Sequence, residues 1–445
     1  MESGRYELLI LPATDIIARA FPFVYTEYRR FRRRTSMLSF DKPRPRDYTA
    51  LVHEFSLVQE RRENDRLSLR TRISNLSNRP IAPLIIILLG LVTSLAFCFL
   101  VFPRISGPIH LLLDADNHGS LGYGIWKNHS LSYYPDTQPT VARGPVYPAF
   151  IALTLALSNG WWPYSTQIGQ CIVFSLTCLL AFHAARMLWN RPIGFIVGVV
   201  CAIHPLVIWY TSRIWVETLA IFFFTAMTAS VLYLSLRPTA WRAVLLGVVI
   251  GTATLCKATF LPFIIIIPLL LSILKPKKLR SAYVLLVFVV GAGVVTPWSI
   301  RNYALTGKII PVAAMTGYNF YVGDIWIEEY SKSPFSMSDL WIRSIDDVKA
   351  LYKEAPPGLT RSQRDAWRDT VCLHRSLAHY RRDPGFFLKK LGINAWLYWS
   401  LGETPKKTLL LAIQQLTLLF LCILSALRFR GRDSLRCARC WQRPW

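Results

Sequence analysis

The stretch AWRAVLLGVVIGTATLCKATFLPFIIIIPLLLSILKPKKLR, Ala240–Arg280, decides the architecture. Between 241 and 274 it is apolar apart from Arg242, Lys257 and a few hydroxyls. A helix needs about 20 such residues to cross a bilayer, so the run is too long for one span. Lys257 interrupts it near the middle. The run therefore reads as a tight helical hairpin of two spans, 241–256 and 258–274, closed by the basic KPKKLR at 275–280. Comparable runs lie at about 81–102, 166–188, 193–211, 214–236, 281–299 and 408–428. None alternates with the period of two that a strand shows. The fold class expected is an all-α polytopic membrane protein of eight spans.

Composition agrees: 445 residues, 53% of them hydrophobic, with a mean hydropathy of +0.32. A net charge of +25 would point to nucleic acid in a soluble protein. Here arginine and lysine collect between the apolar runs, as cytoplasmic loops do under the positive-inside rule. Membrane lipids are the expected partner, and no nucleic acid. Cys98, Cys171, Cys178, Cys201, Cys256 and Cys422 sit inside apolar runs as small packing residues. Cys437 and Cys440 form a CxxC with no second pair at metal-ligand spacing, which supports zinc only weakly. No disulfide framework is indicated. The chain starts MESGRYELLI and its first long apolar run begins near Ile81, so no cleavable signal peptide is expected.

The organisation follows. Residues 1–80, with YRRFRRRTSM, form a basic cytoplasmic tail that touches anionic headgroups. Residues 81–300 form a transmembrane core that includes an outer loop at 103–165. Residues 301–407 are a polar non-cytoplasmic region, 408–428 the last span and 429–445 a basic cytoplasmic tail. The pairs Arg186 with Arg191 and Arg237 with Arg242, together with KPKKLR, fix the cytoplasmic side. The apolar piece PVYPAFIALTLALS, 145–158, breaks the parity if it crosses. It is short and proline-rich at its start, and reads as an interfacial helix on the outer face.

This topology gathers Asp114, Asp116, Arg143, Arg213, Glu217, Lys257 and Arg301 at one membrane face, although they come from distant parts of the chain. No acid falls mid-span, where ion-coupled carriers typically place ionisable groups. Charges gathered at an interface suit an enzyme whose substrate has a lipid tail in the membrane and a polar headgroup above it. A carboxylate can take the proton of an acceptor hydroxyl attacking a sugar C1. Lys257 and Arg301 can hold a phosphate and stabilise the charge it gains on leaving. Glu217 opens a span, and a structural alternative pairs it with Arg213 one helical turn earlier. His110, His118 and His129 lie near the aspartates, which admits a divalent metal, but their spacing fits no compact ligand motif.

The residues resemble a known family. The acidic pair in LLLDADNHGSLGYGIW (111–126) and RGPVYP (143–148) are similar to the first outer loop of GT-C fold glycosyltransferases. WVETLAIFFF (215–224), GVVIGTATLCKATFLP (247–262), TPWSIRNYALTGKIIP (296–311) and TGYNFYVGD (316–324) continue the likeness. The pattern looks like the bacterial branch related to protein O-mannosyltransferases (glycosyltransferase family 39) and lipid A aminoarabinose transferase. It covers roughly 85–325 in order, more weakly to about 427. The resemblance implies a GT-C-like helical bundle with interfacial helices in the first outer loop and a small extramembrane segment. It implies an inverting transfer from a polyprenyl-phosphate sugar donor to a lipid, glycan or protein acceptor. The enzyme would sit in a bacterial inner or plasma membrane, with its site on the periplasmic or extracellular face and both termini cytoplasmic. Asp114 carries over as base, with Asp116 kept beside it, and Glu217 as the acid that opens the later span. Lys257 stands where the family usually has arginine, and loses the bidentate fork. Arg301 matches directly. Arg143, Tyr147, Arg213 and Asn319 complete the expected binding residues. No cofactor is firmly implied. The family commonly continues through further spans beyond the point where this sequence reaches SLRCARCWQRPW. Two other readings are a lipid-linked saccharide transporter or flippase without chemistry, and an inactive GT-C-like scaffold.

Overall fold

A computed structural model describes residues 79–105, 114, 116–274, 279–332 and 350–400, with a few single positions outside them. The chain divides into two units, Met1–Leu76 and Ser77–Trp445, and the structure below is that of the second. Nearly all of the basic tail and of the last expected span lie outside the described residues, as do the C-terminal CxxC and His110. Among the described residues there is no strand, only an isolated bridge between Ser132 and Pro139.

The helices are α1 (Ala82–Ala96), α2 (His118–Asn128), α3 (Val146–Leu157), α4 (Tyr164–Leu188), α5 (Arg191–Ala202), α6 (Pro205–Thr211) and α7 (Glu217–Leu236). They continue with α8 (Ala240–Cys256), α9 (Phe263–Leu274), α10 (Ser281–Thr306), α11 (Thr316–Lys332), α12 (Arg361–Arg382) and α13 (Pro384–Ser400). A π-helical turn, Phe97–Val101, carries α1 on through a last turn at Phe102–Ile105.

Among the described residues, four helices are long and apolar enough to cross a membrane: Ala82–Arg104, Tyr164–Leu188, Glu217–Leu236 and Ser281–Thr306. A fifth results if α5 and α6 count as one span bent by 54°. The bend has a local cause. Pro205 lacks an N–H and its ring disfavours helix at His204, which is extended (ψ 114°). The sequence run 193–211, expected as one span, is thus two helices. The expected break at Lys257 is present: its backbone is extended, and a short 3₁₀ turn, Ala258–Phe260, leads into α9. The pieces Ala240–Cys256 and Ala258–Leu274 are each shorter than the four candidate spans. On α1, Leu84, Leu88 and Val92 form an outward apolar stripe, as a lipid-facing helix requires.

α8 and α10 approach closely, and Gly247 and Gly251 are the reason. A Cβ on Gly251 would lie 2.6 Å from Cβ of Val294 and 2.8 Å from the Gly291 carbonyl. Small residues four apart let two backbones approach where lipid removes any hydrophobic drive between helices. Met227, Leu246, Ile250, Ile264 and Val287 pack around this contact. A second cluster, Phe102, Tyr147, Ile151, Leu155, Ile214, Leu219 and Cys256, lies where the first loop meets the bundle. α3 buries Tyr147, Ile151 and Leu155 there and leaves Leu153 and Leu157 exposed. It is too short to cross a bilayer core.

The polar region expected at 301–407 contains α11, α12 and α13. α12 starts with a capping box: Thr360 accepts from the Gln363 N–H, and the Gln363 side chain from the Thr360 N–H. Buried Asp324 joins the three helices, accepting from Ser376 and Tyr380 of α12 and Lys390 of α13, each at 2.6 Å. Sequence reading did not single out this cluster, because nothing local distinguishes Asp324 or Lys390 from solvated charges.

Candidate functional site

Asp114 stands at the mouth of α2. Its Oδ1 accepts from the His118 N–H at 2.8 Å and its Oδ2 from the Gly119 N–H at 2.7 Å. The helix starts because Asn117 adopts the left-handed conformation (φ 56°) and turns these amides towards the carboxylate. Such bonds favour the charged form, but burial outweighs them and raises the Asp114 pKa to about 6. Asp116 is placed differently. It is half-exposed and forms an ion pair with Arg143 Nη2 at 3.1 Å.

Gly144 explains how Arg143 arrives. A Cβ on Gly144 would fall 2.2 Å from the Leu255 carbonyl, so only glycine lets the loop lie on the last turn of α8. That contact sets Arg143 beside the break at Lys257. The Lys257 Nζ meets Glu217 Oε1 at 3.0 Å. Glu217 opens α7, where the helix dipole favours an acid.

The expected alternative, Glu217 paired with Arg213, is not what the structure shows. Residues 212–216 are non-helical, so the two side chains do not share a helix face. Arg213 is buried against Trp215 (4.7 Å), Trp209 (4.9 Å) and Phe102 (5.8 Å). These distances suit cation–π contact.

Tyr147 is fully buried and donates to Gln170 Oε1 at 2.8 Å. The Gln170 amide donates in turn to the carbonyls of Thr211 (3.0 Å) and Arg213 (2.7 Å), which ties α3 and α4 to the end of α6 and the turn that follows it. Tyr147 lies within electrostatic reach of Asp114, Glu217 and Asp116. His118 packs edge-on against it at 4.9 Å. Burial, with the charges of Arg143 and Lys257, holds His118 well below the usual histidine range, so its imidazole is neutral. Among the described residues no three His, Cys, Asp or Glu side chains come together as metal ligands.

Arg301, expected on a phosphate, donates from Nη1 to the Thr140 carbonyl at 2.9 Å and to Asn302 Oδ1 at 3.0 Å. It also stacks over Trp298 at 4.4 Å. Asn319 lies apart from the acids. It lines a largely apolar cavity of about 400 Å³ with Thr259, Met315, Phe320, Phe387 and Asn394. The cavity lining begins at Ala258, the residue after Lys257.

The structure thus brings Asp114, Asp116, Arg143, Tyr147, Glu217 and Lys257 together, with Arg301 one contact away through Thr140. Sequence reasoning missed Gln170 and Thr140. An amide within an apolar helix signals Gln170, whereas a loop threonine carries no such signal. Compared with protein-family models, curated proteins and solved structures, the chain matches none of them.

Proposed function

We propose that this chain is a membrane glycosyltransferase of the GT-C kind. It moves a sugar from a polyprenyl-phosphate donor to a lipid, glycan or protein acceptor on the non-cytoplasmic face. The observation that carries the reading is Asp114, a half-buried loop carboxylate held by two backbone amides beside Arg143, its pKa raised by burial to about 6. A general base works best with a pKa near the operating pH.

In this reading the acceptor oxygen attacks the sugar C1 from the side opposite the phosphate. The new C1–O bond forms as the C1–O bond to phosphate breaks, which inverts the anomeric centre. The acceptor proton passes to Asp114, and the electron pair leaves on the phosphate oxygen. Lys257 and Arg143 stabilise that negative charge. Glu217 orients Lys257 through their ion pair. Tyr147 and Arg213 support the first loop from behind as buried packing residues, and the cavity at Asn319 receives the donor headgroup. Asp116, engaged by Arg143, is less free to act as base.

The test is transfer by the protein in nanodiscs, supplied with a panel of polyprenyl-phosphate sugars. Asp114→Asn is expected to lower turnover by about 10²–10⁴-fold, the usual worth of a general base. Asp116→Asn and Glu217→Gln should lose less. Full transfer by both aspartate variants would remove the first loop from the chemistry. In sealed proteoliposomes, sugar lipid that crosses the bilayer unchanged would favour a transporter instead.

A further inference from the structure

Thr140 lies in the first loop, just before Arg143, and each of its polar atoms is engaged. Its N–H donates to the Leu131 carbonyl at 2.9 Å, and its carbonyl accepts from Arg301 of α10 at 2.9 Å. Its hydroxyl donates to Asp365 Oδ2 of α12 at 2.5 Å and accepts from the Ala142 N–H at 3.1 Å. Thr140 and Asp365 are 0% and 4% exposed. The flanking backbone is tied to the same helices. Ser362 donates to the Pro139 carbonyl at 2.6 Å, and the Arg361 N–H to Gln138 Oε1 at 3.0 Å. Arg361 pairs with Asp136 at 3.1 Å, and the Ala314 N–H reaches the Val141 carbonyl at 2.8 Å.

A hydroxyl held by a buried carboxylate is a strong, directional link. The Ala142 contact closes a turn on that hydroxyl, and Gly144 is seated on the Leu255 carbonyl. Arg143 therefore leaves the backbone between two fixed points, and its guanidinium meets Asp116. We propose that Thr140, clamped by Asp365 and Arg301, is a positioning residue that fixes Arg143 on Asp116 and leaves Asp114 as the free base. This assigns Arg301 to the loop and makes α12, from the polar second half of the chain, part of the active-site scaffold. The inference rests on the transferase reading for its catalytic consequence only.

The experiment compares Thr140→Val, Thr140→Ser, Asp365→Ala and Asp365→Asn in nanodiscs. Two readouts are taken: amide hydrogen exchange of the 131–144 segment, and the kcat–KM split of sugar transfer. Thr140→Val and Asp365→Ala should each speed exchange there by about tenfold or more, as a local opening does. The double variant should be no faster than either. Turnover should fall roughly 10- to 100-fold, the scale of an ångström misplacement, with donor KM within about twofold. Thr140→Ser should restore both readouts. Asp365→Asn keeps the shape without the charge and should fall between, which serves if the alanine variant does not fold. Unchanged exchange in Thr140→Val and Asp365→Asn overturns the clasp. Faster exchange with wild-type turnover overturns the positioning role. If the wild type transfers no sugar while exchange responds as described, the clasp stands and the transferase reading fails.

Discussion

Asp114 is held in two ways that pull against each other. Two amides at the start of α2 favour its charge, while burial opposes it and prevails, raising the pKa to about 6. The sign follows directly. A carboxylate whose folded pKa lies above its ordinary value of 3.8 favours the folded state at acid pH, and that advantage is lost as the pH rises through 6. At neutral pH the fold therefore keeps an ionised acid it would bind more cheaply as neutral, a common mark of a working group. Transfer should accordingly rise with pH to a plateau above about 6, the half-maximal point lying near 6, measured as kcat/KM from pH 4.5 to 8. Residual transfer by Asp114→Asn should lack that step. A profile without a step near 6 would remove Asp114 from the role of base. That Asp114, Glu217 and Lys257 gather at one end of the helices was legible from sequence, because basic loops fix the sides of the apolar runs. Thr140 and Asp365 were not: their pairing joins positions that sequence distance hides, and both residue types are common on solvated surfaces.

At the scale of elements, the apolar runs announce most helices, since period and length are local properties. The exceptions are local too. Pro205 splits an expected span, and the non-helical turn after Thr211 separates Arg213 from Glu217. What no run reveals is which helix packs on which. α8 and α10 meet through Gly247 and Gly251, where a larger side chain has no room. Gly251→Leu should destabilise the bundle by about 1–3 kcal/mol through overpacking. Equilibrium unfolding in mixed micelles would measure this, and an unchanged midpoint would mean the helices can part at no cost. The Asp324–Lys390 contact joins α11 to α13 in the same concealed way, as a buried pair between helices distant in sequence.

For the whole molecule, the loop-to-α12 contacts make a topological demand. Thr140 and Asp365 touch, so the first loop and α12 lie on one side of any membrane that the chain spans. α4 runs 25 residues from Tyr164 to Leu188, long enough to carry the chain to the other side. Cysteines at Thr137 and Gln363 should therefore react with an impermeant maleimide from the same side, and a cysteine at Trp189 from the opposite one. Labelling of Thr137 and Gln363 positions from different sides would contradict the fold.

The sequence by itself determined that the chain is helical and built for a membrane, and which charges sit at the ends of its spans. Those properties are local: hydropathy, period, proline and charge act within a few turns of the residues that carry them. Only the tertiary structure decided the pairs. It set Lys257 on Glu217, Arg143 on Asp116 and Thr140 between Asp365 and Arg301, and it left Asp114 to the amides of α2. Which ion meets which counter-ion, and how far burial moves a pKa, depends on distance and desolvation. Both are set by how distant segments pack.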